Sequence, residues 1–135
     1  MAKQKTLELF DKGYNCCQSV FCAYGENYGL THEQCFKNAA AFGGGIGGST
    51  QHLCGVVNGA LMAIGHHFAH VGYDPQTKGA MNKTIRDFLD TLKQNHKSLI
   101  CKDILTEDHR HNSMHSDKCK DFVEEACGVL DEVLS

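Results

Sequence analysis

The sequence predicts an all-α fold, a compact bundle of four to six helices with a glycine-rich loop before the central helix. Three observations carry that expectation. Apolar residues recur at intervals of three and four, no alternating run of strand length occurs, and a single proline, Pro75, interrupts 135 residues. That length is expected to form one helical domain over residues 1–135, large enough to bury a core.

Leu7 and Phe10 mark a short first helix, and Gly13 separates it from a longer one carrying Val20, Phe21, Tyr24 and Tyr28. Thr31, followed by Glu33 and Gln34, has the form of an N-cap opening a third helix through Phe36, Ala39, Ala40 and Phe42, which stops at the glycines. From Ser49 or Thr50 a long central helix is expected, with Leu53, Val57, Leu61, Ile64 and Phe68 on one stripe and an end near Gly72. The next, about residues 77–96, sets Ile85, Phe88, Leu89 and Leu92 on one face and Lys83, Asp87, Asp90 and Lys93 largely on the other. Residues 99–105 make a short helix, 109–116 a polar loop and 117–134 a last amphipathic helix. Gly55 and Gly59, one turn apart, let another backbone approach the central helix. With charge sparse in the first half, a homodimer packed on that half is expected.

Thirteen Lys and Arg against sixteen Asp and Glu give a net charge of −3, which leaves no basic footprint for nucleic acid. The apolar stretches are broken by Gly and His well short of 18 residues, and the opening MAKQKTLELF has no signal-peptide core, so no membrane partner and a cytoplasmic location are expected. Cytosolic thiols are kept reduced, so eight cysteines there point to metal binding or thiol chemistry rather than a disulfide framework.

The run Gly43-Gly44-Gly45-Ile46-Gly47-Gly48 contains a GxGxxG spacing, but no strand precedes it, so a loop that brings helices and a site together is the better reading than a dinucleotide site. Its amides are candidate donors to sulfur at the mouth of the next helix. Cys54 is expected in the first turn of that helix, where the helix dipole favours thiolate over thiol. Cys16 and Cys17 are adjacent and point about 100° apart on a helix, so one faces a buried centre while the other is spare. Cys101 and Cys119 each precede apolar residues that turn them inward, whereas Cys22, Cys35 and Cys127 read as packing. No CxxC occurs, so any shared centre must be assembled by tertiary packing. The pairs His66/His70 and His111/His115 are spaced four apart, as helical metal ligands would be; a helix C-terminus and a solvated loop are their simpler readings. No catalytic carboxylate dyad, Walker loop or HExxH is present.

The stretch Gly13-Tyr14-Asn15-Cys16, the glycine run leading to Cys54-Gly55-Val56-Val57-Asn58-Gly59, then Cys101 before Ile104-Leu105 and Cys119 before Phe122-Val123, resembles the C-GCAxxG-C-C family of redox-active proteins over nearly the whole chain. Val56 stands where the family motif has alanine. The resemblance implies a small helical protein whose Cys16, Cys54, Cys101 and Cys119 form a redox or metal centre. A similar domain occurs in split-Soret cytochromes, where an iron–sulfur centre on such cysteines is implied, while the selenocysteine of some members implies direct chalcogen chemistry.

Three readings follow. The leading one is an iron–sulfur cluster, two-iron by preference, on Cys16, Cys54, Cys101 and Cys119, serving electron transfer to a redox partner protein. The second is a metal-free thiol-disulfide oxidoreductase in which Cys54 or Cys17 attacks. The third is a zinc- or copper-binding module using the same thiolates with His52 or His66.

Overall fold

The computed structural model describes residues 2–68, 74–106 and 117–135. Seven α-helices account for most of them: α1 (Ala2–Asp11), α2 (Cys16–Gly25), α3 (His32–Ala39), α4 (Gly55–His67), α5 (Pro75–Lys93), α6 (Cys101–Thr106) and α7 (Asp117–Leu134). The all-α expectation holds, and among the described residues the nearest thing to a strand is one isolated antiparallel bridge between Leu53 and Ile100. No described helix is long and apolar enough to cross a membrane.

Local chemistry explains where several helices start. Asn15 caps α2 by accepting from the Gln18 amide at 2.8 Å while the Gln18 side chain accepts from the Asn15 amide at 3.2 Å, a reciprocal box that satisfies two donors. Thr31 and Gln34 do the same for α3, at 3.1 and 2.9 Å. Asp74 caps α5 ahead of Pro75, whose fixed φ and missing N–H suit a first helical position.

All ten residues of α2 are buried, so this helix is the axis of the fold. It packs on α1, α3 and α4, and α7 closes the other side against α1, α4, α5 and α6. The contact of α2 with α4 is close because Gly59 has no side chain: a methyl there would sit 2.9 Å from both the Cys17 carbonyl oxygen and Val20 Cβ. The close approach anticipated for Gly55 and Gly59 is therefore made within the chain, onto α2, while Gly65 has nothing within 4 Å of where a Cβ would lie.

Several boundaries differ from the sequence reading, among them the ends of α2 at Gly25 and α3 at Ala39, each continued by a short 3-10 turn, and the start of α5 at Pro75. Three more have a cause in tertiary contacts, two of them the same one. The central helix starts at Gly55 rather than Ser49 or Thr50, and the short helix starts at Cys101 rather than Leu99. The residues before each are held by each other: the Cys54 amide donates to Leu99 O at 2.9 Å, the Cys101 amide to His52 O at 2.8 Å and the Lys102 amide to Thr50 O at 2.8 Å. Groups committed to that pairing are not available for helical bonds. The third difference is α5, which ends at Lys93 rather than near His96. His96 turns inward, 4% exposed, with its ring edge-on to Phe122 and Nε2 2.8 Å from Glu125 of α7.

The glycine run is a loop, as expected, but of unusual hand. Gly44, Gly45, Ile46, Gly47 and Gly48 all have φ between 61° and 71°. Glycine enters this left-handed region without penalty; Ile46, β-branched and 40% exposed, does not.

Candidate four-cysteine site

Each of four cysteines sits at the start of a different helix. Cys16 is the first residue of α2, Cys54 is the N-cap of α4, Cys101 is the first residue of α6 and Cys119 the third of α7. The antiparallel bridge of Leu53 with Ile100 puts Cys54 opposite Leu99 and Cys101 opposite His52, so the two cysteines flank the bridge on its two sides. The glycine loop is pressed against the same place. A methyl on Gly43 would land 2.2 Å from Asn15 Cγ, so the cap of the Cys16 helix rests directly on the loop, and Asn15 Nδ2 also donates to Ala40 O at 3.2 Å. A methyl on Gly45 would lie 2.6 Å from Cys101 Cβ.

The result is a small, largely enclosed cavity lined by Cys16, Cys54, Cys101 and Cys119 together with Val56, Ile104 and Phe122. Its volume, about 10 Å³, is room for about one water molecule. The four cysteines are between 4% and 8% exposed. Their surroundings are apolar, and that governs their ionisation. Burial pushes the Cys16 thiol above its ordinary range against the opposing pull of the Gly44 amide, and a neighbouring Cys119 thiolate would raise it further. Burial likewise holds Cys54 well above that range; Cys16 adds to the effect, and the first-turn amides of Val56 and Val57 oppose it. Cys101 is pushed up to about 12 by burial and by Cys16 and Cys119. In an apolar pocket Cys16, Cys54 and Cys101 stay neutral thiols at pH 7 unless a cation offsets the repulsion between thiolates.

The tertiary structure thus brings together Cys16, Cys54, Cys101 and Cys119, the four residues that the family resemblance assigns to one centre. The other candidates lie elsewhere. Cys17, wholly buried, points to α4, with Sγ 3.6 Å from Met62 Sδ, and is not part of the cavity lining. It is pushed up to about 12, chiefly by burial. His52 is exposed and contributes only its carbonyl to the bridge. His66 lies against Phe21, ring centres 5.5 Å apart, and is not part of the cavity lining either. His70, His111 and His115 lie outside the described residues. Cys54 sits one position before the first turn, because α4 begins at Gly55. Its helix-start environment survives that correction, since the amides of Val56 and Val57 still act on the sulfur.

Sequence reasoning missed Asn15 and His96. Asn15 could have been found from the spacing Asn15…Gln18, a capping-box signature placed directly before two cysteines. His96, behind Phe122 and bonded to Glu125, carries no local signal.

As the side chains stand, no three His, Cys, Asp or Glu among the described residues are drawn together closely enough to hold an ion. The donor set nevertheless fits a metal by its chemistry: four sulfur ligands and no competing carboxylate line one cavity, the set that soft and borderline metals and iron–sulfur clusters take.

A family model described as "Putative redox-active protein (C_GCAxxG_C_C)" matches residues 14–133. A protein of Archaeoglobus fulgidus, named only as uncharacterized, is 38% identical over 63 residues, covering 46% of this chain and 41% of its own length. The match thus spans less than half of that relative. No solved structure matches. The likeness to split-Soret cytochromes finds no support in these matches.

Proposed function

The chain belongs to the C-GCAxxG-C-C family of redox-active proteins, and from that membership and the shared cavity we propose that Cys16, Cys54, Cys101 and Cys119 are the thiolate ligands of an iron–sulfur centre, two-iron by preference, that passes single electrons to a partner protein in the cytoplasm. One observation carries the reading: four sulfurs from four separate helix starts line one closed, apolar cavity. An iron–sulfur cluster supplies one-electron oxidation and reduction with little change of shape. The protein's own part is to bind, shield and tune. Val56, Ile104 and Phe122 exclude water. The Gly44 amide at Cys16 and the Val56 and Val57 amides at Cys54 favour added negative charge on sulfur, which raises the reduction potential. Four helix starts directed at one place act in the same sense.

The cavity's size favours a second reading, a single ion in a tetrahedral four-sulfur site, because room for about one water suits one ion, with the side chains drawing in around it, better than a cluster. A metal-free oxidoreductase fits less well: Cys17 is 0% and Cys54 5% exposed, and an attacking sulfur must reach its substrate.

Purification without oxygen or added metal, followed by assay of iron, acid-labile sulfide, zinc, copper, free thiols and the visible spectrum, separates these readings. Iron and sulfide near two per chain is the expected result. One ion per chain without sulfide moves the assignment to the single-ion site. A colourless, metal-free protein with a reversible disulfide overturns both.

A further inference from the structure

Two cysteines that take no part in the cavity meet elsewhere. Cys22 lies in the middle of α2 and Cys35 in the middle of α3, and both are wholly buried. Cys35 Sγ rests on the backbone of α2 at Gly25, where a methyl would lie 2.4 Å from it. Gly25 is three residues beyond Cys22, hence on the same face of the helix and one turn along. The missing side chain at Gly25 is what lets α3 come this close to the turn of α2 that follows Cys22. The Lys5–Glu26 ion pair acts on both thiols, and Cys35 acts on Cys22.

The helix that carries Cys35 is thinly attached. Of its eight residues only Cys35 and Ala39 are buried. Its remaining ties to the body are Gln18 Nε2 donating to Phe36 O at 3.3 Å, the Tyr14 hydroxyl bonded to His32 Nε2 at 3.1 Å, and the Tyr14 ring edge-on to Phe36 and His32. Such a segment opens at a free energy below that of the whole fold, so a small reagent reaches the pair by local opening.

We propose that Cys22 and Cys35 form a second, two-electron thiol site, separate from the four-cysteine cavity, which low-molecular-weight disulfides such as oxidised glutathione convert to a disulfide that staples α3 to α2. The step balances. When α3 opens, the Cys35 thiolate attacks one sulfur of the small disulfide, forming a mixed disulfide and releasing one small thiol. Cys22 then gives up its proton and displaces the second small thiol as the Cys22–Cys35 bond forms. Two protein thiols are oxidised and one small disulfide is reduced to two thiols. Burial pushes Cys22 up to about 11, so the reaction waits on that opening.

The test treats the anaerobically purified protein, and its Cys54→Ser variant, with oxidised glutathione, blocks remaining thiols by alkylation and maps the peptides by mass spectrometry. Cleavage after Phe21 and Glu33 separates Cys22 from Cys16, Cys17 and Cys35. The expected product is a Cys22–Cys35 link in both proteins, two hydrogens lighter than the reduced pair, with a thermal midpoint higher by roughly 5–10 °C that a dithiol reductant reverses. In Cys22→Ser, Cys35 should stop at the glutathione adduct. Because Cys54→Ser removes a proposed metal ligand, the link's presence there is independent of the iron assignment. The reaction is repeated in urea below the unfolding transition, where α3 opens more often. If Cys22 and Cys35 are still alkylated as thiols, are linked to other cysteines, or stop at glutathione adducts in the parent protein, the proposal falls.

Discussion

The eight cysteines divide into the four that line the cavity and the four that do not, and the two groups differ in what faces the sulfur. Cys16 and Cys54, at helix starts, meet amides that have no intrahelical partner: that of Gly44 for Cys16, those of Val56 and Val57 for Cys54. Cys17 and Cys22 meet no such donor: Cys17, the second residue of α2, turns away to Met62, and Cys22 lies further along the helix, where amides are already bonded to carbonyls four residues back. All are buried, so burial alone does not distinguish a site from a core. A place at a helix start together with a side chain turned into the cavity does.

The largest expected effect bears on this contrast directly. Cys54→Ser should remove most of the iron retained through anaerobic purification, whereas Cys127→Ser, within α7, should retain it; equal loss from both would erase the distinction. Gly59→Ala presses on Cys17 and Val20 and should destabilise the fold by about 1–3 kcal/mol in urea unfolding while leaving the metal content per folded chain unchanged. A fall in metal content would instead tie the mid-helix region to the site.

A pH series probes what the groups share. Cys17 and Cys101 are pushed up to about 12, and Cys22 and Cys127 to about 11, from an ordinary value near 9. Between those limits the unfolded chain releases protons that the folded one keeps, so stability of the reduced, metal-free protein is full below about pH 9 and is lost as pH rises towards 11 and 12. Urea midpoints at pH 8 and pH 10 measure it, and an unchanged midpoint contradicts the burial of these thiols. Smaller again, Asn15→Ala removes the cap beneath Cys16 and should cost about 1 kcal/mol. It should also loosen Gly43, which rests on that side chain, so metal retention should drop with it. The smallest effect has the opposite sign: Gly65→Ala, in open space within α4, should stabilise by about 0.5–1 kcal/mol. Destabilisation there would show the position to be covered by something else.

Much of the helical plan could be read from local pattern. The cap at Thr31, the amphipathic stripe through Phe88 and Leu92 and the last helix over residues 117–134 all rest on energies that act within a turn or two. What failed was the start of the central helix. Ser49 and Thr50 suit an N-cap by composition, yet Thr50 O and the Cys54 amide are bonded to a segment about fifty residues later. That pairing leaves no trace in either segment taken alone. The family resemblance, not spacing, named the four cysteines, since intervals of 38, 47 and 18 residues carry no geometric signal.

By itself, then, the sequence determined which segments are helical, where the third and the last of them begin and that cysteine is the unusual resource of this chain, because capping, periodicity and composition are local properties. Only the tertiary structure decided that Cys16, Cys54, Cys101 and Cys119 share a cavity while Cys17 turns away to Met62. The physical reason is that a side chain's neighbours are set by how helices pack. Here that packing depends on a two-residue bridge, a left-handed glycine loop and a bare glycine face on α4, each acting between residues far apart in sequence.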